Sequence, residues 1–177
     1  MLTEKDIQLL FNKEIYTKVI QLAVPMATEF VWIATSDIKD MYVACSGQMK
    51  PFLYVLAELI KRKVEVRLMH AKEPGEMFRK DFDKHPVLFG GLERMLCPRV
   101  HYKIVIIDGK TAYTGSANIT GAGMGAKGEN NRNFENGIYT QNGELVSQLM
   151  EQFDSVWRGD FCRKCNRKAY CGDCPLK

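Results

Sequence analysis

Apolar residues recur every three or four positions from Asp6 to Ala23, at Ile7, Leu10, Phe11, Ile15, Val19 and Leu22. That spacing predicts one amphipathic helix ending near Pro25. The apolar run Phe30 to Thr35 predicts a short buried strand, and Ser36-Asp37 a turn or helix cap leading into a segment through Val43. Helical spacing returns from Phe52 to Arg62, with Pro51 at its start. Val64 to Met69 alternates Val, Val and Leu with Glu and Arg, the period of a strand. The polar stretch Ala71 to Pro86, which holds Pro74 and Gly75, fits either a helix or a long surface loop. Val100 to Ile107 reads as a strand, Asp108-Gly109 as a tight hairpin turn and Lys110 to Thr114 as the returning strand. The four glycines between Gly121 and Asn131 predict a flexible loop. Phe134 to Thr140 is a further strand, and Gly143 to Arg158 an amphipathic helix through Leu145, Leu149, Phe153 and Val156. Strands and helices interleave without an internal repeat. The expected fold is α/β, a mixed β-sheet flanked by helices.

Composition narrows the class. The chain has 177 residues, 46% of them hydrophobic, enough for one domain with a sizeable core. Its most apolar stretch, Val19 to Thr35, is interrupted by Pro25 and Glu29, so no membrane span is expected. Met1 to Asn12 lacks the charged-then-apolar order of a signal peptide, which points to the cytoplasm. The net charge of +4 is concentrated at one end. Arg158, Arg163, Lys164, Arg167, Lys168 and Lys177 face only Asp160 and Asp173, and the preceding residues are balanced. A neutral body with a basic tail suits a polyanion such as nucleic acid or an anionic lipid surface, although a solvated tail has the same composition.

The chemistry is concentrated between residues 101 and 118, which read His-x-Lys-x4-Asp-x6-Gly-Ser-x-Asn: His101, Lys103, Asp108, Gly115, Ser116 and Asn118. Residues two apart on a strand share a face, so the His101 imidazole and the Lys103 ammonium are expected to project together. A histidine can act as nucleophile or proton carrier near neutral pH, and a lysine beside it can hold an anion. The returning strand brings Gly115, Ser116 and Asn118 back to the level of His101. A lone His-x-Lys would be an incidental pair on a hairpin; six positions at these gaps are a pattern.

The pattern resembles the signature of the phospholipase D superfamily, with similarity from Val31 to about Trp157 and strongest from Val100 to Asn136. The resemblance implies a phosphodiesterase working through a phosphohistidine. It implies that Glu135, in Phe134-Glu135-Asn136, hydrogen-bonds the catalytic histidine; the lesser alternative is an exposed strand glutamate. The chain holds one signature and looks like the short bacterial nucleases and Zucchini-type proteins, which dimerise to join two half-sites. Covalent phosphodiester cleavage needs a nucleophile and a separate proton donor, and a two-fold pair supplies two histidines. The implied roles are His101 as nucleophile and, from the partner, as acid and base. Lys103 and Asn118 hold the phosphoryl oxygens, and Ser116 adds a donor. Glu135 sets the His101 tautomer. Asp108 belongs to the signature and is expected to serve the turn more than proton transfer. Two lysines replace the charge of a metal, so no catalytic metal is expected.

Cys162-x2-Cys165-x5-Cys171-x2-Cys174 sets residues 159–177 apart from a phosphodiesterase domain over 1–158. Paired Cys-x-x-Cys units in a short basic tail are metal-knuckle spacing and predict a compact structural zinc clip. An iron–sulfur centre or a redox-active or disulfide pair remains open on spacing alone. Cys45 and Cys97 adjoin apolar residues and are expected to be buried small hydrophobes outside this cluster.

Three functions compete. The basic tail and single half-site favour cleavage of nucleic-acid phosphodiester bonds by a homodimer. A phospholipase D or phosphatidyl transferase would use the same chemistry on lipid, but no insertion helix is evident. A non-catalytic nucleic-acid-binding module is disfavoured because every chemically needed side chain is present.

Overall fold

The computed structural model describes residues 6–39 and 41–176; residues 1–5, Asp40 and Lys177 lie outside the described residues. Its first element departs from the helical pattern. Ile7–Phe11 is a strand, β1, paired antiparallel with β9 (Asn136–Thr140). Asn12 ends it with φ 49°, a conformation that a helix cannot continue through. The Asn12 backbone N–H donates to the Glu135 carbonyl at 2.9 Å, and the Asn12 side-chain oxygen accepts the Glu135 N–H at 2.9 Å. The helical segment α1 therefore covers only residues 13–26, and it buries Ile15, Val19 and Ile20. Its middle, Tyr16–Ala23, is wound as a π-helix.

The other expected elements are present, joined by a hairpin, a short helix and a further strand that the pattern did not predict. The strand β2 is Phe30–Thr35, and a hairpin follows, β3 (Tyr42–Cys45) and β4 (Gln48–Pro51). The helix α2 is Phe52–Lys61 and the strand β5 is Glu65–His70. The ambiguous polar stretch holds a helix, α3 (Glu76–Asp83), and a short α4 (Val87–Gly91) leads into β6 (Leu92–Leu96). The signature hairpin is β7 (Lys103–Ile107) and β8 (Thr111–Gly115), turned by Asp108 and Gly109 at φ 53° and 61°. The helix α5, Gly143–Trp157, is capped by the Asn142 side chain, which accepts the Leu145 N–H at 3.0 Å.

Seven strands form one mixed sheet in the order β1-β9-β8-β7-β2-β5-β6. Only β2-β5 and β5-β6 are parallel. Alternation along each strand divides the core. Val31, Ile33, Val66, Leu68, Val105 and Tyr113 face α1 and α2. Ala34, Met69, Ile104, Ile106 and Ala112 face α5 through Val146 and Phe153. The sheet is thus flanked by helices on both faces, as the pattern predicts. The register puts Lys103, Gly115, Gly137 and Leu10 on one rung. Thr35, His70 and Leu96 form a second rung, on the strands that follow β7 in the sheet order.

The glycine-rich segment is a loop, as its composition predicts, and it is packed against the fold. Residues 121–125 form turns, with the Lys127 N–H donating to the Gly121 carbonyl at 3.0 Å and Met124 fully buried. At Gly125, φ is +81° and a Cβ would lie 2.6 Å from the Asn12 carbonyl oxygen, so the glycine permits a close backbone approach.

Candidate active site

His101 is not on the strand. β7 begins at Lys103, because neither β2 nor β8 extends far enough to pair Val100 to Tyr102. His101 is exposed at the sheet end, while Lys103 is 6% exposed. The lysine bends back so that Nζ lies 3.4 Å from His101 Nδ1 and donates to the His101 carbonyl. The two side chains are together as expected, but through the lysine's reach rather than strand alternation. Burial pulls the Lys103 ammonium below its ordinary value, and the charge of Glu135 opposes that shift.

Asn118 is held by groups that the motif does not contain. Its Oδ1 accepts the Ser36 hydroxyl at 2.7 Å and the Asp37 N–H at 3.2 Å, with the Thr35 hydroxyl at 3.2 Å. The Thr35 hydroxyl oxygen also accepts the Ile119 N–H at 3.1 Å. The Ser36 hydroxyl and the Asp37 N–H fix the orientation of the amide, while the single Thr35 hydroxyl hydrogen goes to the Asp37 carbonyl at 2.8 Å, and the Nδ2 side of the amide is left as a donor for an anion. Thr35 and Ser36 are neighbours of Asn118 that the spacing of the signature cannot reveal; they read only as the end of a strand.

Ser116 donates to the Glu135 carboxylate and accepts the Asn136 N–H at 3.1 Å. The other Glu135 oxygen accepts from Asn133 Nδ2 at 3.0 Å. The hydrogen bond from Glu135 to His101 that the family resemblance implies is not made. Glu135 leads into β9, one strand beyond Ser116 at the end of β8, so Ser116 stands between it and His101.

Asp108 lies at the other end of β7. Five residues along a strand is about 16 Å from Lys103, so Asp108 is not in the site. Its carboxylate accepts the N–H groups of Thr28, Glu29 and Phe30 at 2.9, 2.8 and 3.0 Å and the Thr28 hydroxyl at 2.9 Å. Burial pushes the carboxyl up, but these hydrogen bonds outweigh it and hold it below the ordinary value.

Glycines floor the site. Tyr113 is fully buried beneath Gly115 and Gly137. A Cβ at Gly137 would lie 2.4 Å from Tyr113 Cε2, and one at Gly115 would lie 2.5 Å from Tyr113 Oη. Gly137 carried no signal in the sequence.

The tail packs against the end of β6. The Leu96 N–H donates to the Asp173 carboxylate at 2.8 Å, and the Cys171 thiol donates to the Leu96 carbonyl at 3.4 Å. Cys162, Cys165, Cys171 and Cys174 line one cavity of about 200 Å³, and Cys97 lines it with them. Cys97 therefore does not stand apart from the tail. Burial, the facing Cys174 thiol and then nearby Cys97 and Cys171 push the Cys162 thiol up to about 11. The Arg167 N–H and then Arg99 lower the Cys165 thiol. No disulfide joins these residues. Among the described residues, no three His, Cys, Asp or Glu side chains stand close enough to hold a metal ion.

Residues 22–157 match the family model of the cardiolipin synthase, phospholipase D-like domain. The chain belongs to this family. Solved structures share the fold. The phospholipase D family member Nuc from Salmonella typhimurium superposes with a TM-score of 0.63 at 18% identity, over 86% of this chain and 93% of Nuc. NucT from Helicobacter pylori gives 0.62 at 14% identity, over 86% and 97%. Phosphatidylserine synthase from Haemophilus influenzae gives 0.63 at 13%, over 85% of this chain but 36% of its own. No curated protein matches. The chain is thus a phospholipase D-like domain of the size of Nuc and NucT. No helix among the described residues is long and apolar enough to cross a membrane.

Proposed function

We propose that this phospholipase D-like domain cleaves nucleic-acid phosphodiester bonds as a two-fold dimer. The observation that carries the reading is the gathering of His101, Lys103, Ser116 and Asn118 at one end of the sheet. There the Asn118 amide N–H₂ and the Lys103 ammonium are the donors for a phosphoryl group. His101 Nε2 of one copy attacks phosphorus, with the ring proton on Nδ1 and the Lys103 ammonium moving from Nδ1 to a non-bridging oxygen. The P–N bond forms as the P–O bond to the leaving group breaks, and the His101 imidazolium of the second copy gives that oxygen its proton. The same imidazole then takes a proton from water, which displaces Nε2 and releases a phosphomonoester.

A second copy has a surface to occupy. α5 covers the sheet over β7 and β8. Beyond it Leu9, Phe11 and Ile138 are 55%, 49% and 39% exposed, and Phe134 beside Glu135 is 94% exposed. An apolar patch adjoining the site is the signature of a protein interface. A polyanionic substrate suits the groove lined by Arg99, Arg163, Lys164 and Phe161 with one carboxylate, Asp160, since three cations outnumber it and Arg99 is two residues from His101.

The test is purified protein with labelled single-stranded DNA, single-stranded RNA and phosphatidylcholine vesicles in parallel, each with EDTA. Cleavage of nucleic acid that persists in EDTA and vanishes in His101→Ala is expected. Turnover of lipid alone, or a strict need for added Mg²⁺ or Mn²⁺, overturns the reading. Mixing His101→Ala chains into wild type should lower activity faster than dilution does. A sedimentation result showing an active monomer refutes the dimer.

A further inference from the structure

Cations of the tail and of the turn before His101 meet in one groove. Arg99, Asp160, Phe161, Arg163 and Lys164 line it, around a volume of about 400 Å³. The chain enters it from α5 through Gly159, whose φ of +81° lets the helix end in a Schellman turn. The Gly159 N–H donates to the Val156 carbonyl and the Asp160 N–H to the Ser155 carbonyl, both at 3.1 Å. Past that turn Phe161 is 57% exposed, and it lines both the groove and the cysteine-lined cavity. The loop that follows is tied back by the Lys168 ammonium, which donates to the Arg163 carbonyl at 2.9 Å.

The charges in the groove do not cancel. Asp160 is already paired, its carboxylate 3.2 Å from the Arg158 guanidinium. Among the described residues, none of Arg99, Arg163 and Lys164 has a carboxylate of its own. Three such cations beside an exposed phenyl ring match a polymer that offers phosphates and bases in turn: the cations take the phosphates, and a base covers the ring. A basic tail that is merely solvated has no use for the ring. A duplex has no base face to offer it, whereas the unstacked bases of a single strand do.

Resting on the nucleic-acid reading of the active site, we infer that the tail supplies a single-strand subsite beside it. A nucleotide next to the scissile phosphate stacks its base on Phe161, while Arg99, Arg163 and Lys164 hold the adjoining phosphates. Arg99 and His101 are two residues apart, a span of at most about 7 Å, so the groove begins next to the reacting phosphate. Asp173 and Cys171 dock the tail on Leu96, at the end of the strand that feeds this turn, and so keep the two walls of the groove together. Phe161, Arg163 and Lys164 lie outside residues 22–157, which match the family model. The subsite therefore belongs to this chain and not to the shared fold. Its contacts are to phosphates and to a ring face that every base possesses, so it selects single strands without selecting sequence.

The experiment measures kcat/KM of the full chain on a labelled single-stranded DNA oligonucleotide, on its duplex, and on bis(p-nitrophenyl) phosphate, a phosphodiester with no neighbouring nucleotide. Phe161→Ala should lower the single-strand value about 5- to 150-fold, the loss of one base stack. Phe161→Trp should keep it, and the duplex value should not change. Both variants should turn over bis(p-nitrophenyl) phosphate as wild type does. Removing Arg163 and Lys164 together should flatten the salt dependence of oligonucleotide affinity by about 0.7 in logarithmic slope per cation. An oligonucleotide carrying iodouracil should photocrosslink to Phe161 in the wild-type chain, with no variant needed. Turnover of bis(p-nitrophenyl) phosphate without cleavage of any nucleic acid overturns the nucleic-acid reading and the subsite with it. Where nucleic acid is cleaved, four results overturn the subsite alone. These are an unchanged single-strand value in Phe161→Ala, equal losses on single strand and duplex, crosslinks confined to residues outside the groove, and tighter binding of phosphatidylglycerol vesicles than of the oligonucleotide.

Discussion

Asp108 stands within the signature yet far from its chemistry, and replacing it separates the two. Asp108→Ala removes the acceptor of three backbone N–H groups and one hydroxyl. Water can replace it at exposed Thr28 and Glu29, at roughly 0.5–1 kcal/mol each. The Phe30 N–H is half-buried, and leaving it without a partner costs about 1–3 kcal/mol. The total is about 3 kcal/mol, which at a urea m-value of about 2 kcal/mol/M lowers the unfolding midpoint by about 1.5 M. Asp108→Asn keeps one acceptor oxygen and tolerates the positive φ, so it should fall between alanine and wild type. The charge sets the pH dependence. The folded carboxyl is held below its ordinary value near 3.8. Its stabilisation is therefore fully present above pH 4 and is lost as pH falls through the folded value. The gap in stability between wild type and Asp108→Ala should be constant near neutrality and close in acid. Below the unfolding temperature kcat should stay within about twofold of wild type, because about 16 Å of strand separates Asp108 from Lys103. Urea titration with parallel turnover measurements decides. An unchanged midpoint with a kcat loss of 100-fold or more would make Asp108 catalytic and refute this account.

Other outcomes follow from the same geometry. Gly137→Ala forces a methyl against the Tyr113 ring at 2.4 Å. Overpacking of this kind costs about 1–3 kcal/mol, which for a chain of this size lowers Tm by about 2–12 °C; calorimetry showing no change would mean that the glycine floor is not packed as described. Lys103, pulled below its ordinary 10.5 by burial, should lose its proton and the activity with it at a pH below 10.5. Its depressed folded value also means that stability rises with pH from that value up to 10.5, the opposite sign to a salt-bridged lysine. A pH profile of kcat/KM flat to 10.5 contradicts this. Asn118→Ala should reduce kcat by about 100-fold or more, the loss typical of one oxyanion donor, with circular dichroism reporting whether the sheet survives the loss of the acceptor for Ser36 and Asp37.

Much of this protein is legible one residue after another. The signature spans eighteen positions on one hairpin, from His101 to Asn118, and a hairpin's register follows from its own turn, so the chain's local order alone brings Lys103 level with Gly115. The helices α2 and α5 and the strands β2 and β5 show their period because each buries one continuous face. What sequence could not supply depends on partners far along the chain. Ile7 to Phe11 carries helical spacing but becomes a strand because β9, more than a hundred residues later, offers an unpaired edge and Asn12 turns the backbone away. Glu135 meets Ser116 rather than His101 because strand order interposes β8. Thr35 and Ser36 hold Asn118 only because β2 lies beside β7 in the sheet. Cys97, which reads as a buried apolar residue, joins the tail because a carboxylate at Asp173 draws that tail onto Leu96. Local periodicity records which face of an element is buried; which neighbour buries it is decided by long-range pairing, and that pairing leaves no period in the sequence.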